Sequence, residues 1–477
     1  LEGGGAAAAP THPYRRTVLT AVATVLTLSA WLTGPAPAQQ SSKWAASWST
    51  SIQSAYVAPT TPQTAAVSAY NPQPDLTFAL PNATTAGADN QTFRMIIKPD
   101  LWSDTVRVRF SNAFGTKPVV FSDAAVALQD YQANLVQNTS ATLTFGGAHS
   151  VTIPPGAQTF SDPVHLPFVT ATQNLPDDLR GRNLAVSFAV QGTTGPASYH
   201  ATAFTTSYIS PPNSGDVVSA NDDTSYPYST TSFFFVSELD ALVPSDTIVV
   251  CAFGDSITDG TFSTINGNDR WSNVLSRQLH DKLGGQVSVV NEGIGGNGVA
   301  ATLTGQPATE RVSRDVVGLS GLDLVVWMEG INDLGNAKST PDTVIAGYRQ
   351  VVGTLHNAGV AVIGATVTSA LLPGGQVPGN SPLAANTTGE IAASYGSAQT
   401  DAYRQQLNTF ILTSGLFDAT ADFAAVTADP NTGTLRAPFV PNSEGSAGDY
   451  LHPNRAGYQA MGQSAAAAVL SLISGKR

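Results

Sequence analysis

The sequence predicts two architectures in series. An antiparallel β sandwich or jelly roll covers residues 43–240, and an α/β domain with a mostly parallel sheet covers 245–477. Three observations carry this. The chain has 477 residues, beyond the ~250–300 at which a single hydrophobic core stops growing. Apolar residues in the first half recur with period two, between turn signals. In the second half, buried β-branched runs alternate with amphipathic helical stripes, the pattern of a parallel sheet covered on both faces.

In the first half, Thr105–Phe110 places Val106, Val108 and Phe110 toward a core and turns Arg107 and Arg109 to water. Similar runs occupy Thr92–Ile97, Pro118–Leu128, Asn183–Val190 and Tyr199–Ile209. Gly146-Gly147 and Pro154-Pro155-Gly156 punctuate them. Ser210–Tyr228 is rich in Pro, Ser, Asn, Asp and Gly and reads as a surface connection. The apolar Ser232–Val236 that follows reads as a last strand or a wedge between domains. His149, His165 and His200 have no partner at metal-ligand spacing and read as ordinary loop or strand residues.

The second half opens with the buried strand Ile248–Phe253. A helix follows over Trp271–Leu283, with Trp271, Val274, Leu275 and Leu279 on one face. Next come a strand over Val287–Val290, an interrupted helical stretch to Val317, and a strand over Leu322–Met328. Ser339-Thr340 before Pro341 start a helix with Val344, Tyr348, Val351 and Leu355 on its stripe, and Gly359 stops it. A fourth strand is predicted over Val360–Val367 and a short fifth near Leu416–Ala419. Helices near Asp401–Thr413 and Arg455–Ile473 complete the pattern. Trp271 and Trp327 read as core.

Composition narrows the function. The formal net charge is −12, and the 22 Lys and Arg residues form no basic run, which speaks against a nucleic-acid partner. The single cysteine, Cys251, lies inside a predicted buried strand, so it forms no internal disulfide and is poorly placed to react. Residues 1–38 read as a cloning scar or truncated start followed by a signal peptide. Arg15-Arg16 precede an apolar stretch from Thr17 to Leu32, and an Ala-x-Ala site ends at Ala38. Export without disulfides suggests a bacterial secreted or periplasmic protein, and no later segment is apolar enough to span a bilayer.

Four blocks carry candidate chemistry. Gly254-Asp255-Ser256 ends the first α/β strand. Asn291-Glu292-Gly293-Ile294-Gly295-Gly296-Asn297 follows the second, and Gly330-Ile331-Asn332-Asp333 the third. Asp449-Tyr450-Leu451-His452 precedes the last helix. Parallel strands put their carboxyl ends on one rim, so the first three blocks converge on one cleft. A serine hydroxyl becomes a nucleophile when an imidazole takes its proton, and a carboxylate on the other ring nitrogen fixes the tautomer. Asp449 and His452, three apart, can lie on one face. Glycines that expose N–H groups, together with an asparagine amide, suit an oxyanion.

In their order and spacing these blocks resemble the GDSL/SGNH hydrolase family over the whole second domain. The resemblance implies a flavodoxin-like three-layer α/β/α sandwich and a cofactor-free, metal-free serine esterase. It assigns Ser256 as nucleophile, His452 as general base and acid, and Asp449 as its orienting partner. The implied oxyanion hole comprises the Ser256 and Gly296 N–H groups and the Asn332 side chain. Gly296 is chosen because it stands five after Asn291, with Gly295 as the alternative. Ile257 departs from the leucine of the family name, on the apolar side of the turn. A preceding β-rich domain is similar to that of some exported bacterial members.

Two rivals fall away. Gly293–Gly298 satisfies G-x-G-x-x-G, but it follows the second strand, Pro307 interrupts the next helix, and no acid ends the next strand at the required spacing. A non-catalytic carbohydrate-binding or adhesion protein would have been free to lose Ser256 or His452, and both remain. Asp255, Asp259 and Asp333 read as scaffold for the loops, His280 and His356 as structural, and Asp418 and Asp422 have no predicted role. The long Gly- and Pro-rich segment 371–397 is expected to wall the substrate site. Short acyl or acetyl esters, including those on carbohydrate, are the expected substrates, with a lipase or phospholipase-type acylhydrolase as the alternative. Nothing in the sequence fixes an oligomeric state.

Overall fold

The computed structural model describes residues 41–54, 73–83, 85–169, 179, 181–372, 395–441 and 450–475. From Ser41 onward the chain forms one compact unit. The predicted signal peptide and most of the expected substrate loop lie outside the described residues.

Among the described residues, a two-stranded sheet and two large antiparallel ones make up the β-rich half. One runs in the order Ser42–Ser49, Val236–Pro244, Thr105–Ser111, Gln158–Phe160. The other runs Tyr228–Thr230, Ser207–Ile209, Thr92–Ile97, Leu184–Gln191, Val119–Leu128, Ala141–Thr142. The period-two residues Phe93, Met95, Ile97, Val106, Val108, Phe110, Val186, Phe188 and Val190 all enter one core between them. Phe188 sits edge-on to Phe110 and Phe121 at 5.5 and 5.4 Å and stacks on Phe93 at 5.5 Å. Each such pair adds about 0.5–1.5 kcal/mol beyond area burial.

Several expectations are corrected here. The run Tyr199–Ile209 is not one strand. Tyr199–His200 pairs with Phe233–Phe234, and Ser207–Ile209 pairs with Thr92–Ile97. Between them Phe204, at φ +49°, breaks the extended backbone. Arg109 is buried and Arg107 half-buried, so neither simply faces water. They pair across the sheet with Asp240 and Glu238, each at 2.8 Å. Arg109 also donates to the Gly318 carbonyl and Arg107 to Ser320 Oγ, because the outer face of this sheet is covered by the α/β half. The last strand runs on to Pro244, and Ser42–Ser49 beside it was not foreseen. A period-two face of Glu238 and Asp240 mimics a solvated one, and only the facing arginines show that it is buried. Ser210–Tyr228 is less superficial than its composition suggests, since Val218 and Tyr226 are buried and Tyr226 lies 4.1 Å under the Arg94 guanidinium.

The α/β half holds a five-stranded parallel sheet in the order Val287–Gly293, Ile248–Gly254, Leu322–Met328, Ala361–Ala365, Ala419–Ala421. In sequence terms this is 2-1-3-4-5, the flavodoxin-like arrangement, whose crevice opens where the first strand lies beside the third. Trp271–Leu283 and Arg455–Gly475 bury one face of the sheet, and Pro341–Asn357 and Ala398–Thr413 the other. The predicted three layers are therefore present. The fifth strand starts three residues later than expected because Phe417 turns inward against Gly364 and the Tyr348 ring. The second core also takes in Ala45, Ala46, Leu101, Ala241 and Val243 from the β-rich half, so the two halves share buried apolar surface.

Candidate active site

The nucleophile candidate is placed by the end of the first parallel strand. After Gly254, Asp255 caps the short helix Ser256–Asp259 by accepting the Ile257 N–H at 3.0 Å, and Gly260 ends it in the left-handed region. Ser256 is thus held at the carboxyl rim on one rigid turn. Its Oγ lies 2.8 Å from His452 Nε2, although 196 residues separate the two. His452 precedes the helix Arg455–Gly475, whose first N–H groups, from Ala456 and Gly457, go to Asn454 Oδ1. That helix approaches Trp271–Leu283 so closely that a Cβ at Gly462 would lie 2.6 Å from the Trp271 carbonyl oxygen. His452 is fully buried, with the Phe262 ring edge-on at 6.0 Å. Asp449, the expected partner of the imidazole, lies outside the described residues.

The glycine block packs against the serine turn. A Cβ at Gly293 would stand 2.3 Å from the Asp259 backbone nitrogen, so only glycine permits the approach. The Ile294 N–H bonds the Gly254 carbonyl, and the Gly295 N–H bonds Asp259 Oδ2 at 3.0 Å. Gly296 has φ +76°, and a Cβ there would meet Thr304 Oγ1 at 2.5 Å. At Gly295 the nearest atoms to a Cβ are 3.6 and 3.7 Å away. The backbone therefore demands glycine at 296 and tolerates a side chain at 295. Asn332 is held against the same loop. Its Nδ2 donates to the Asn297 carbonyl at 2.8 Å, and its Oδ1 accepts from the Tyr395 hydroxyl at 2.7 Å. The acceptor on one side and the donor on the other fix which end of the amide is nitrogen.

Beneath the rim lies a buried polar layer that sequence reasoning missed. Arg311, fully buried, donates to the carbonyls of Gly254 and Glu292, to Asn297 Oδ1 and to Ser51 Oγ, each at 2.8–2.9 Å. Its guanidinium stacks 4.3 Å over Phe253. Around it stand more carboxyls than it can neutralise. Burial pushes Glu329 up to about 7, partly opposed by Arg311. Burial and Asp315 push Glu292 up to about 7 as well. Burial, with Glu329 adding, holds Asp255 well above the ordinary carboxyl value. Asp255 accordingly serves the turn, as expected, and Asp333 serves the loop by accepting the N–H groups of Val299, Ala300 and Ala301. Arg311 left no sequence signal because it sits in an interrupted helical stretch with its partners on four other segments.

His200, read as an ordinary strand histidine, is instead buried against the serine turn, with Nε2 3.1 Å from Asp259 Oδ1. His280 bonds Asp100 and His356 bonds Asp418, each at 3.0 Å, both structural as expected. Asp422 caps Phe423–Thr427, and Trp271 and Trp327 are core. Cys251 is buried. A cavity of 390 Å³ lies between the β-rich half and the helix Trp271–Leu283; it is lined by Trp48, Lys98, Asn273 and Arg277 among others and includes neither Ser256 nor His452. Among the described residues no helix is long and apolar enough to cross a membrane.

A serine hydroxyl bonded to an imidazole, on the crevice rim of a 2-1-3-4-5 parallel sheet, is an arrangement suited to hydrolysis through a side-chain nucleophile. Comparison with known proteins narrows it. Residues 252–460 match the model of the GDSL-like Lipase/Acylhydrolase family, so the α/β half carries a GDSL-like hydrolase domain, which supports a carboxylic ester hydrolase. Among solved structures, the chain is similar to a putative acylhydrolase from Bacteroides fragilis, at 18% identity over 48% of this chain and 88% of that one, TM-score 0.32. It is similar to a putative arylesterase from Agrobacterium tumefaciens, at 19% identity over 47% of this chain and 100% of that one, TM-score 0.33. It is also similar to a carbohydrate acetylesterase family member from Sinorhizobium meliloti, at 19% identity over 48% and 100%, TM-score 0.33. No curated protein matches the sequence.

Proposed function

We propose that this protein hydrolyses short-chain acyl or acetyl esters through a Ser-His-Asp triad and an acyl-enzyme intermediate. The observation that carries the proposal is the 2.8 Å contact between Ser256 Oγ and His452 Nε2. In this reading His452 takes the Ser256 proton as Oγ attacks the ester carbonyl carbon. It returns that proton to the departing alkoxide, leaving Ser256 acylated. Water, deprotonated by the same nitrogen, then attacks the acyl carbon; the bond to Oγ breaks, the proton passes from His452 to Ser256 Oγ, and the acid is released. Asp449 holds the other ring nitrogen. The oxyanion is met by the Ser256 and Gly296 N–H groups and by the second Asn332 amide N–H, the first being used on the Asn297 carbonyl.

The fixed orientation of the Asn332 amide and the left-handed backbone at Gly296 both support this oxyanion hole. The signal sequence supports an exported enzyme, and with a sandwich domain beside the site it favours acetylated carbohydrate over lipid. The test is steady-state hydrolysis of p-nitrophenyl esters from acetyl to long acyl, and of acetylated glycans, by wild type and by Ser256→Ala and His452→Ala. Both variants should lose more than ~10³-fold in kcat. Unimpaired turnover in either removes the triad, and a preference for long acyl chains selects the lipase-type alternative. Recovery of the mature chain outside the cytoplasm, beginning after Ala38, tests export.

A further inference from the structure

The geometry points to His200 as a positioning residue for ester hydrolysis: from the β-rich half it grips Asp259, and through Asp259 it fixes the glycine loop that presents the Gly296 N–H. The inference rests on the reading of Ser256 and Gly296 above and gives the β-rich half a part in the chemistry.

Three links make the chain of contacts. His200 lies on the two-residue strand Tyr199–His200, paired with Phe233–Phe234, and its ring stacks on Phe233. Its Nδ1 is 2.9 Å from the Ser51 carbonyl oxygen and its Nε2 is 3.1 Å from Asp259 Oδ1. A carbonyl accepts only. On the carboxylate side, Asp259 Oδ2 receives the Gly295 N–H at 3.0 Å and the Thr202 hydroxyl, which leaves Oδ1 to face Nε2. Nδ1 therefore donates to the Ser51 carbonyl, and in the cationic ring Nε2 donates as well, to Asp259 Oδ1. The third link is covalent: Gly295 is joined to Gly296, so the anchored N–H of the first orients the peptide that carries the second.

The groups that face His200 agree with this state. Burial disfavours the cation, but the Asp259 carboxylate and the Ser51 carbonyl more than offset it, against a smaller opposing effect of Arg270. Its pKa lies above the ordinary histidine value as a result. Arg270 comes from the segment before Trp271–Leu283 and spends its donors on the carbonyls of Asp259 and Ala203, which leaves the Asp259 carboxylate to His200, Thr202 and Gly295. The sign follows directly. The cation is present at low pH and lost as pH rises through the raised value, and with it goes one of the three donors that hold Asp259.

The experiment compares wild type, His200→Gln, Thr202→Val and Ser256→Ala in the full chain. His200→Gln should lower kcat on p-nitrophenyl acetate about 10-fold, below the ~10²–10³ that losing an oxyanion donor costs, with KM within about 2-fold. It should also abolish a falling alkaline limb in the wild-type kcat profile. Thr202→Val should lower kcat about 3-fold and keep that limb. A chain labelled with ¹⁵N-glycine supplies a readout independent of turnover. The Gly295 amide resonance, assigned with Gly295→Ala, should titrate with pH in wild type and in Ser256→Ala, and should stay fixed in His200→Gln. Wild-type kcat and a titrating Gly295 amide in His200→Gln overturn the inference. Full turnover in Ser256→Ala overturns the reading of the site instead, while the amide titration still decides the strut.

Discussion

The glycine loop gives the sharpest quantitative prediction, because two adjacent glycines differ in what they permit. Gly296→Ala places a Cβ 2.5 Å from Thr304 Oγ1 on a backbone at φ +76°. The left-handed conformation alone costs an alanine about 1–2 kcal/mol. The contact is about 1 Å inside ordinary carbon–oxygen separation, so either Thr304 or the peptide must move by that much. A ~1 Å misplacement of a catalytic donor costs up to ~10²-fold in rate. Gly296→Ala should therefore lower kcat on p-nitrophenyl acetate by about 10- to 10²-fold and leave KM nearly unchanged, since an oxyanion donor acts on the transition state. Gly295→Ala meets only ordinary contacts at 3.6 and 3.7 Å and should stay within about 3-fold of wild type. Adding Thr304→Ala to Gly296→Ala should recover the steric share, leaving the backbone share, and a double-mutant cycle separates them. Thermal melts of all variants establish that the chains are folded. The assignment of the donor to position 296 is refuted if Gly295→Ala loses as much kcat as Gly296→Ala.

Three further outcomes follow from the buried layer and the loop. Tyr395→Phe removes the hydroxyl that holds Asn332 Oδ1 and should lower kcat by about 3- to 5-fold, the worth of one neutral hydrogen bond, with KM unchanged; equal kcat would show that the Asn297 contact orients the amide unaided. Glu329 binds a proton in the folded chain up to about pH 7, against an ordinary value of 4.5. The folded state thus holds more protons than the unfolded one across that window, and stability falls as pH rises through it, by about 3 kcal/mol from this one group. Urea melts at pH 5 and pH 8 should show the decline, and Glu329→Gln should remove this group's share and leave that of Glu292 and Asp255; an unchanged slope in the variant refutes the assignment. Arg311→Met strands acceptors on Gly254, Glu292, Asn297 and Ser51 and should cost about 3–5 kcal/mol in the same melts; a loss under 1 kcal/mol would show that water replaces the guanidinium.

Periodicity and short-range chemistry were enough to read the fold class and most of its elements, and to nominate the candidate reactive groups. Buried β-branched runs alternating with helical stripes require a covered parallel sheet, and Leu322–Met328 and Trp271–Leu283 begin and end where those patterns do. Gly-Asp-Ser after a buried strand, and a histidine before the last helix, are likewise local facts. What the chain could not reveal on its own was every feature whose meaning depends on a partner far away in sequence. Arg107 and Arg109 look solvated until Glu238 and Asp240 are seen opposite them, and His200 looks idle until Asp259 is seen beneath it. The physical reason is the same in each case. An apolar residue reveals its burial through its neighbours in sequence, because a whole face must be buried together. A polar residue is buried only where a distant group satisfies it, and only the tertiary structure supplies that group.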